Sequence, residues 1–134
     1  MNFNFFASEI SATPVDGIWT VGFADPSRDT YFLVQRDVDN VMGQEGLNIH
    51  YVEFEDQSKA CYGGIEHVQI LRDAVRFRLT SAGADRIGLA ELAVSFTLSK
   101  PALAAVSEAL AHIVEHGRVE VILMGERFNG VIGV

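Results

Sequence analysis

Alternating apolar and polar positions run through most of the chain, and a period of two is typical of β-strands with one buried face. Between Val75 and Leu79, for example, apolar residues alternate with arginines. The runs at 18–24 and 30–36 are separated by a short turn and predict an antiparallel hairpin. Strands are predicted within residues 3–12, 18–24, 30–36, 48–55, 65–71, 74–80, 92–98 and 118–124.

One stretch has the 3.6-residue period of a long amphipathic helix. Ser99 is a favourable N-cap, Pro101 is tolerated in the first turn, and Gly117 stands where a C-terminal cap belongs. We therefore predict one long helix over about residues 99–116. Its apolar stripe consists of Leu103, Val106, Leu110, Ile113 and Val114.

Many strands combined with a single helix are typical of an α+β fold. We predict one domain over residues 1–134, with a largely antiparallel β-sheet and the long C-terminal helix packed on one of its faces. Residues 81–88 are predicted as a helical turn or a loop. The sheet face under the helix is expected to include Phe77, Leu79, Val94 and Phe96.

The chain is organised around a central segment, residues 47–73. Strands are predicted at Asn48–Glu55 and Ile65–Leu71, with a polar loop at Asp56–Lys59 and the pair Gly63-Gly64 between them. The first strand places its side chains alternately on two faces. One face carries Tyr51, Glu53 and Glu55, and the other carries His50, Val52 and Phe54.

Composition and charge exclude several functional classes. The net charge of −8 argues against nucleic acid and against an acidic membrane surface, because both require a basic protein surface. The single cysteine excludes an internal disulfide and suits a reducing compartment. The first residues lack the basic region of a signal peptide, and no stretch approaches the ~18 apolar residues of a membrane span. We therefore expect a cytoplasmic protein.

Two motifs could suggest a metal site, and neither leads us to predict one. His112 and His116, with Glu115 between them, match the H-x-x-E-H string of zinc peptidases. On a helical wheel, however, His112 lies opposite the apolar stripe, and no good third ligand follows. The acidic run Asp37–Asn40 resembles the start of a calcium loop but lacks the required glycine and oxygen ligands.

The sequence contains no complete catalytic constellation. Cys61 with His50 or His67 could form a thiol nucleophile and its base, but a single cysteine is more often a small buried residue. Gly63-Gly64 could approach a phosphate, yet neither a P-loop lysine nor a following helix accompanies the pair. A bulge or tight bend is the better interpretation. No catalytic residue and no cofactor are predicted.

An acidic cluster in the central segment has two interpretations. It is either a solvated sheet face or an electrostatic docking patch for a basic protein partner. The second is of interest because tyrosine is enriched at interface centres. The residues proposed to contact a partner are Tyr51, Glu53, Glu55, Asp56, Tyr62 and Glu66, and the long loop 37–46 is the second choice.

Three segments carry a resemblance to a known family. They are FADPSRDTYFLVQR at 23–36, YVEFEDQSKACYGGIEHVQI at 51–70, and RFRLT at 76–80. Together they resemble the immunity protein 10 family, and the likeness extends over roughly residues 20–115. Members of that family look like small cytoplasmic antidotes encoded beside bacterial polymorphic toxins. The resemblance implies a protein without catalytic activity that binds and blocks a cognate toxin.

Two functional hypotheses from different classes follow. The first is an immunity protein that binds a cognate toxin, one with a basic surface, and performs no chemistry. The second is a small hydrolase or ligand-binding domain that uses Cys61, His67 and nearby carboxylates. A pocket that holds the cysteine in contact with an imidazole would favour the second hypothesis. The sequence also leaves a homodimer open.

Overall fold

A computed structural model describes residues 2–14, 17–37, 50–114, 118–123 and 126–128 of the chain. These residues form eleven strands, two α-helices and a 3-10 turn at Pro26–Arg28. The strands are β1 (Asn2–Phe6), β2 (Glu9–Ser11), β3 (Ile18–Asp25), β4 (Thr30–Asp37), β5 (Tyr51–Phe54), β6 (Asp56–Tyr62), β7 (Ile65–Ile70), β8 (Ala74–Leu79), β9 (Glu91–Ser95), β10 (Val119–Leu123) and β11 (Glu126–Phe128). The helices are α1 (Ser81–Ile87) and α2 (Lys100–Ile113).

The described strands form two sheets. The six-stranded sheet has the order β1-β9-β8-β7-β10-β11, and the five-stranded sheet has the order β2-β3-β4-β5-β6. The five-stranded sheet is antiparallel throughout, including the predicted β3–β4 hairpin. Within the six-stranded sheet, β1 pairs with β9 and β7 with β10 in parallel, and the other pairings are antiparallel. The prediction of an α+β fold with a largely antiparallel β-sheet is confirmed, although the described strands are divided between two sheets.

The two sheets bury their apolar faces in one shared core. The ring of Phe77 in β8 packs edge-on against Phe23 in β3 and Phe32 in β4, with centroids 5.9 and 4.8 Å apart. Near the sheet edges, Phe3 of β1 meets Phe54 of β5 at 5.4 Å. Each large side chain buried in this way contributes about 1.5–3 kcal/mol to the hydrophobic stabilisation. The strand periodicity thus correctly predicted which side chains face the core.

Helix α2 begins as predicted but ends earlier. The Ser99 hydroxyl caps the helix by accepting a hydrogen bond from the amide of Ala102 at 3.3 Å. The helix ends at Ile113 instead of near residue 116, because Val114 already has an extended backbone. The side chain of Val114 is nevertheless buried with the stripe. Gly117, the predicted cap, lies outside the described residues.

The predicted packing partner of α2 is wrong. Its apolar stripe is buried, but the helix lies chiefly against β3, β4 and β10. The predicted sheet face comprises β8, Val94 in β9 and Phe96 just after β9. Phe77 of this face packs against the five-stranded sheet, through Phe23 and Phe32. At its C-terminal end the helix reaches the end of the β3–β4 hairpin, where His112 stacks on Trp19 at 4.3 Å.

A second helix, α1, forms where a helical turn or a loop was predicted. Thr80 caps its start by accepting a hydrogen bond from the amide of Gly83 at 3.0 Å. Gly88 ends it in the left-handed conformation, with φ of 93°. The helix packs mainly against β6. No helix in the described part of the chain is long and apolar enough to cross a membrane.

The polar segment Asp56–Lys59 is not the predicted loop but the first part of strand β6. Glu55 turns the chain in a single step, with φ of 63°, so that Asp56 lies opposite Phe54 in the register. The segment escaped prediction because β6 is an edge strand, and its first three residues are exposed instead of alternating with apolar ones. The loop predicted at 37–46 lies outside the described residues, apart from Asp37 at the end of β4.

Candidate functional site

All three tyrosines of the chain lie on the same face of the five-stranded sheet. In β4 and β5 the buried residues Phe32 and Val52 point towards the core. Tyr31 and Tyr51, their neighbours in sequence, therefore point the other way. Tyr62 lies directly opposite Tyr51 in the β5–β6 register. We call the surface formed by Tyr31, Tyr51, Tyr62 and Glu53 the tyrosine face.

The carboxylate of Glu53 links two tyrosines of this face. Its carboxylate accepts a hydrogen bond from the hydroxyl of Tyr51 at 2.7 Å and another from the hydroxyl of Tyr31. The residue is only 8% exposed although it lies on the outer side of the sheet. Charge-assisted hydrogen bonds of this kind are stronger than those between neutral groups. The carboxylate therefore fixes the positions of both rings before any partner arrives.

The environment also changes the acidity of these two tyrosines. Burial, the hydrogen bond to Glu53 and the negative charge of Glu53, in that order of importance, together raise the pKa of Tyr31 and that of Tyr51 to about 12. A phenol that donates to a carboxylate resists ionisation, because a phenolate beside Glu53 would place two negative charges in contact. Both hydroxyls therefore remain donors throughout the physiological range.

Between pH 10 and pH 12, the free energy of unfolding is expected to fall. The unfolded tyrosines ionise near pH 10, whereas folded Tyr31 and Tyr51 keep their protons to about pH 12. The stability that depends on these protons is complete below pH 10 and is lost as the pH rises to 12. Tyrosinate absorbance in the folded protein should show two late ionisations, and Glu53→Gln should move them to lower pH. Ionisation of all three tyrosines together near pH 10 would contradict this.

Glu55 and Asp56, two further predicted contact residues, differ in how far their negative charges are neutralised by neighbouring groups. Glu55 accepts hydrogen bonds from Thr30 at 3.0 Å and from the ammonium group of Lys59 at 3.3 Å. Asp56 is exposed and accepts a hydrogen bond from the amide of Ser58 at 2.8 Å. Hydrogen bonding from Ser58 lowers the pKa of Asp56. At this end of the hairpin, Asp56 is thus a solvated anion, whereas the charge of Glu55 is partly neutralised.

Tyr62 is the exposed member of the face. Its ring lies 5.3 Å from that of Tyr51, and 58% of the residue is accessible to solvent. It lines a hollow of about 540 Å³ between β6 and α1, which also contains Arg86. No carboxylate in the described part of the chain forms an ion pair with Arg86. The hollow therefore combines an aromatic wall with an available cation.

A second hollow lies on the other side of the tyrosine face. It measures about 340 Å³ and extends over Gly22 in β3, between Ser11 and Leu33. The glycine leaves this space open, because a Cβ atom at position 22 would stand 3.2 Å from the hydroxyl of Ser11. Tyr31 forms part of its wall. The outer side of the sheet is thus a ridge of tyrosines flanked by two depressions, a relief suited to protruding side chains of a partner.

Glu66 is not part of this surface. It belongs to β7 in the six-stranded sheet and forms an ion pair with Arg78 at 3.6 Å. The six predicted contact residues are therefore divided between the two sheets. Five of its six residues lie along the β5–β6 hairpin, which comprises Tyr51, Glu53, Glu55, Asp56 and Tyr62.

Among the described residues, the thiol of Cys61 makes no hydrogen bond with the imidazole of His50 or of His67. His50 is fully buried, and its Nε2 atom accepts a hydrogen bond from the amide of Ile65 at 3.1 Å. His67 lies 3.6 Å from Glu120. The thiol of Cys61 contacts the carbonyl of Gly63 at 3.8 Å, and burial raises its pKa. A thiol with a raised pKa is a poor nucleophile at neutral pH.

Of the three polar residues in the H-x-x-E-H string, His112 is the one in the described part of the chain. His112 is exposed and stacks on Trp19, while Glu115 and His116 lie outside the described residues. Within the described ranges, no three histidine, cysteine, aspartate or glutamate side chains are placed to hold a metal ion. The pair Gly63-Gly64 forms a tight bend with φ of 72° and 96°, as expected from the sequence.

Comparison with known proteins places the chain among immunity proteins. The family model of immunity protein 10 matches residues 6–105, well over half of the 134 residues. The chain belongs to the immunity protein 10 family. None of the curated proteins compared with it matches, and neither does any solved structure. Family membership supports an immunity function, implies the binding of a cognate toxin and suggests a non-enzymatic role.

Two residues of the site, Tyr31 and Arg86, were not predicted from the sequence. For Tyr31 the sequence predicted only a place in the strand at 30–36, and its contact with Glu53 depends on the pairing of β4 with β5. The alternation of Tyr31 with Phe32 already indicated a solvent-facing tyrosine. Arg86 meets Tyr62 only because α1 packs against β6, and no local pattern in the sequence indicates that contact.

Proposed function

We propose that the chain neutralises its cognate bacterial toxin by direct binding through the tyrosine face, without chemistry of its own. The observation that carries the proposal is the pair of tyrosine hydroxyls on one buried carboxylate, with the exposed ring of Tyr62 beside Tyr51, on the face of the five-stranded sheet that points away from the core. Membership of an immunity protein family supplies the class of partner. We place the encounter in the cytoplasm, where the single cysteine remains reduced.

Tyrosine suits this role for physical reasons. Its ring buries a large area at a low cost in conformational entropy, and its hydroxyl keeps a polar contact at the rim. Tyr31 and Tyr51 are held by Glu53 before binding, so little further ordering is needed there. Tyr62 has more than half of its surface available to a partner. We therefore assign Tyr62 the role of anchor, with Tyr51 behind it.

The charges determine which toxin surface fits. The chain has a net charge of −8, and Asp56 is a solvated anion at the tip of the hairpin. A basic toxin surface would be attracted to this end, which raises the association rate and makes that rate fall with salt. Glu53 and Glu55 contribute less to this attraction, because each already has partners within the chain.

Loss of protection by variants of the tyrosine face is the test of this proposal. The product of the neighbouring toxin gene is expressed with the wild-type chain or with Glu53→Lys, Asp56→Lys or Tyr62→Ala, and cell survival is measured. Tyr62→Ala should weaken toxin binding by at least about 2 kcal/mol, or about 30-fold, as expected of an interface anchor. Asp56→Lys should mainly slow association.

The control is Arg76→Ala, which changes an exposed residue of β8 in the other sheet and should leave protection unchanged. Each variant is first shown to be folded by circular dichroism. Full protection by all three variants would exclude the tyrosine face as the binding site. Failure of the wild-type chain to bind the neighbouring gene product would contradict toxin neutralisation itself.

A further inference from the structure

Strand β1 forms one edge of the six-stranded sheet. Its sequence, Asn2–Phe6, contains no charged residue and no proline. Proteins normally protect an exposed edge with charges, proline, a bulge, a covering segment or a very short strand, because the unpaired backbone groups can pair with another chain. Within the part of the chain that the structure describes, the five residues of β1 have none of these protections.

The other described edges are protected. Edge strand β2 has only three residues, and the sequence of β11 contains the charged residues Glu126 and Arg127. Strand β6 carries Asp56 and Lys59, and α1 packs against it, so that Ala60 is only 8% exposed. The contrast indicates that the open edge of β1 is a specific feature of the fold.

The hydrogen bonds between β1 and β9 show which backbone groups of β1 are available to another strand. The amide of Ala7 donates to the carbonyl of Ser95 at 2.8 Å, which continues the parallel ladder between β1 and β9. In such a ladder every second residue bonds to the neighbouring strand. The alternation that includes Ala7 assigns Phe3 and Phe5 to β9. The backbone groups of Asn2, Asn4 and Phe6 therefore point away from the sheet, and all three residues are exposed.

We propose that β1 pairs with β1 of a second copy of the chain, antiparallel about a two-fold axis at Asn4. In this register Asn2 lies opposite Phe6 of the second copy, and Phe3 lies opposite Phe5. The three outward residues of each strand exchange their donors and acceptors with the partner. The pairing joins the two six-stranded sheets into one continuous sheet and removes the exposed edge from both copies.

Three observations favour a second copy as the occupant. The two-fold register places aromatic residues opposite each other on the core side, where Phe3 and Phe5 of one chain already lie 6.2 Å apart. Phe6, one of the exposed large apolar residues, becomes covered by the pairing. Because β1 carries no charged residue, its pairing with a second β1 places no like charges opposite each other within the two strands. The contact is isologous, so it closes at two copies.

Dimerisation through β1 leaves the tyrosine face free, because that face belongs to the other sheet. The inference does not rest on the proposed function. A dimer of this kind would present two tyrosine faces, and each could take one toxin.

Sedimentation velocity over a range of protein concentrations tests the proposal. The wild-type chain should approach twice its mass of 14.7 kDa as the concentration rises. Asn4→Pro should remain monomeric, because proline removes an outward N–H that β9 does not use, a position where edge strands tolerate it. Asn4→Thr is the matched control: it changes the side chain, keeps the N–H and should still dimerise.

A second variant keeps the test decisive if Asn4→Pro does not fold. Asn4→Lys places two like charges at the two-fold axis and should weaken the dimer at least tenfold. A wild-type chain that stays monomeric at every concentration would overturn the proposal, as would dimers that survive both Asn4→Pro and Asn4→Lys. Open-ended association would overturn the closed two-fold contact. A monomer that loses toxin binding on Asn4→Pro would instead assign the edge to a strand of the toxin.

Discussion

Replacing Gly83 with alanine is expected to destabilise the protein by at least about 2 kcal/mol, although alanine is the better helix former. A Cβ atom at position 83 would stand 2.7 Å from the carbonyl oxygen and 2.8 Å from the Cα atom of Gly64. Both are backbone atoms of the bend between β6 and β7, so they cannot move aside as a flexible side chain could. Helix α1 and the bend that joins the two sheets would have to separate.

The expected loss of stability has the opposite sign from the effect of helix propensity. Helix propensity alone predicts a gain of about 1 kcal/mol for glycine to alanine within α1. Asp85→Ala, an exposed change on the same helix, should stay within about 0.5 kcal/mol of the wild type. The free energies of unfolding are measured by urea denaturation. A Gly83→Ala variant as stable as the wild type would show that the two glycine backbones are not in contact.

Leu110→Ala is expected to lower the free energy of unfolding by about 2–5 kcal/mol. Leu110 is fully buried in the stripe of α2 that faces the five-stranded sheet. Removing its branched end loses apolar burial and leaves a cavity that the surrounding β-strands can fill only in part. The variant should remain folded but unfold at a lower urea concentration, with little change in the slope of the transition.

Glu108→Ala is the matched control, because Glu108 is exposed on the opposite side of the same helix. It should change the free energy of unfolding by no more than about 0.5 kcal/mol. A loss of under half a kcal/mol for Leu110→Ala would mean that the stripe is exposed and that the architecture is wrong.

Periodicity predicted the elements with strong local patterns. The alternation in β3, β4 and β8 correctly separated buried from exposed side chains, since one face of each strand meets the core. The stripe and the Ser99 cap of α2 were likewise readable, because both depend on residues close in sequence. These local signals were sufficient for the α+β class.

The wrong or missing predictions concern mainly contacts between residues that are distant in the sequence. Nothing in the sequence of α2 distinguishes the apolar face of β8 and β9 from that of β3 and β4, so its packing partner was predicted wrongly. Edge strand β6 lacks alternation because its first residues meet water on both sides. The second helix, α1, is only seven residues long, too short for a clear periodic signal.

The candidate site was predicted in outline only. Tyr51, Glu53 and Tyr62 were singled out because the alternation placed acidic and aromatic residues close together. The carboxylate cluster was interpreted as either a solvated sheet face or a docking patch, and neither interpretation indicated that Glu53 is buried beneath two tyrosine hydroxyls. Only the register of β4 with β5 brings Tyr31 to the same carboxylate. Glu66 was included because it is near in sequence, although a bend carries it into the other sheet.

NMR cross-saturation in the complex tests most directly whether the tyrosine face binds the toxin. The chain is deuterated and ¹⁵N-labelled, the neighbouring toxin is not, and saturation of toxin protons attenuates chain amides at the contact. We expect the strongest attenuation along Tyr51–Phe54 and Asp56–Tyr62. Amides of β8 in the other sheet should keep their intensity. Attenuation confined to α2 or to the outer side of the six-stranded sheet would contradict binding through the tyrosine face.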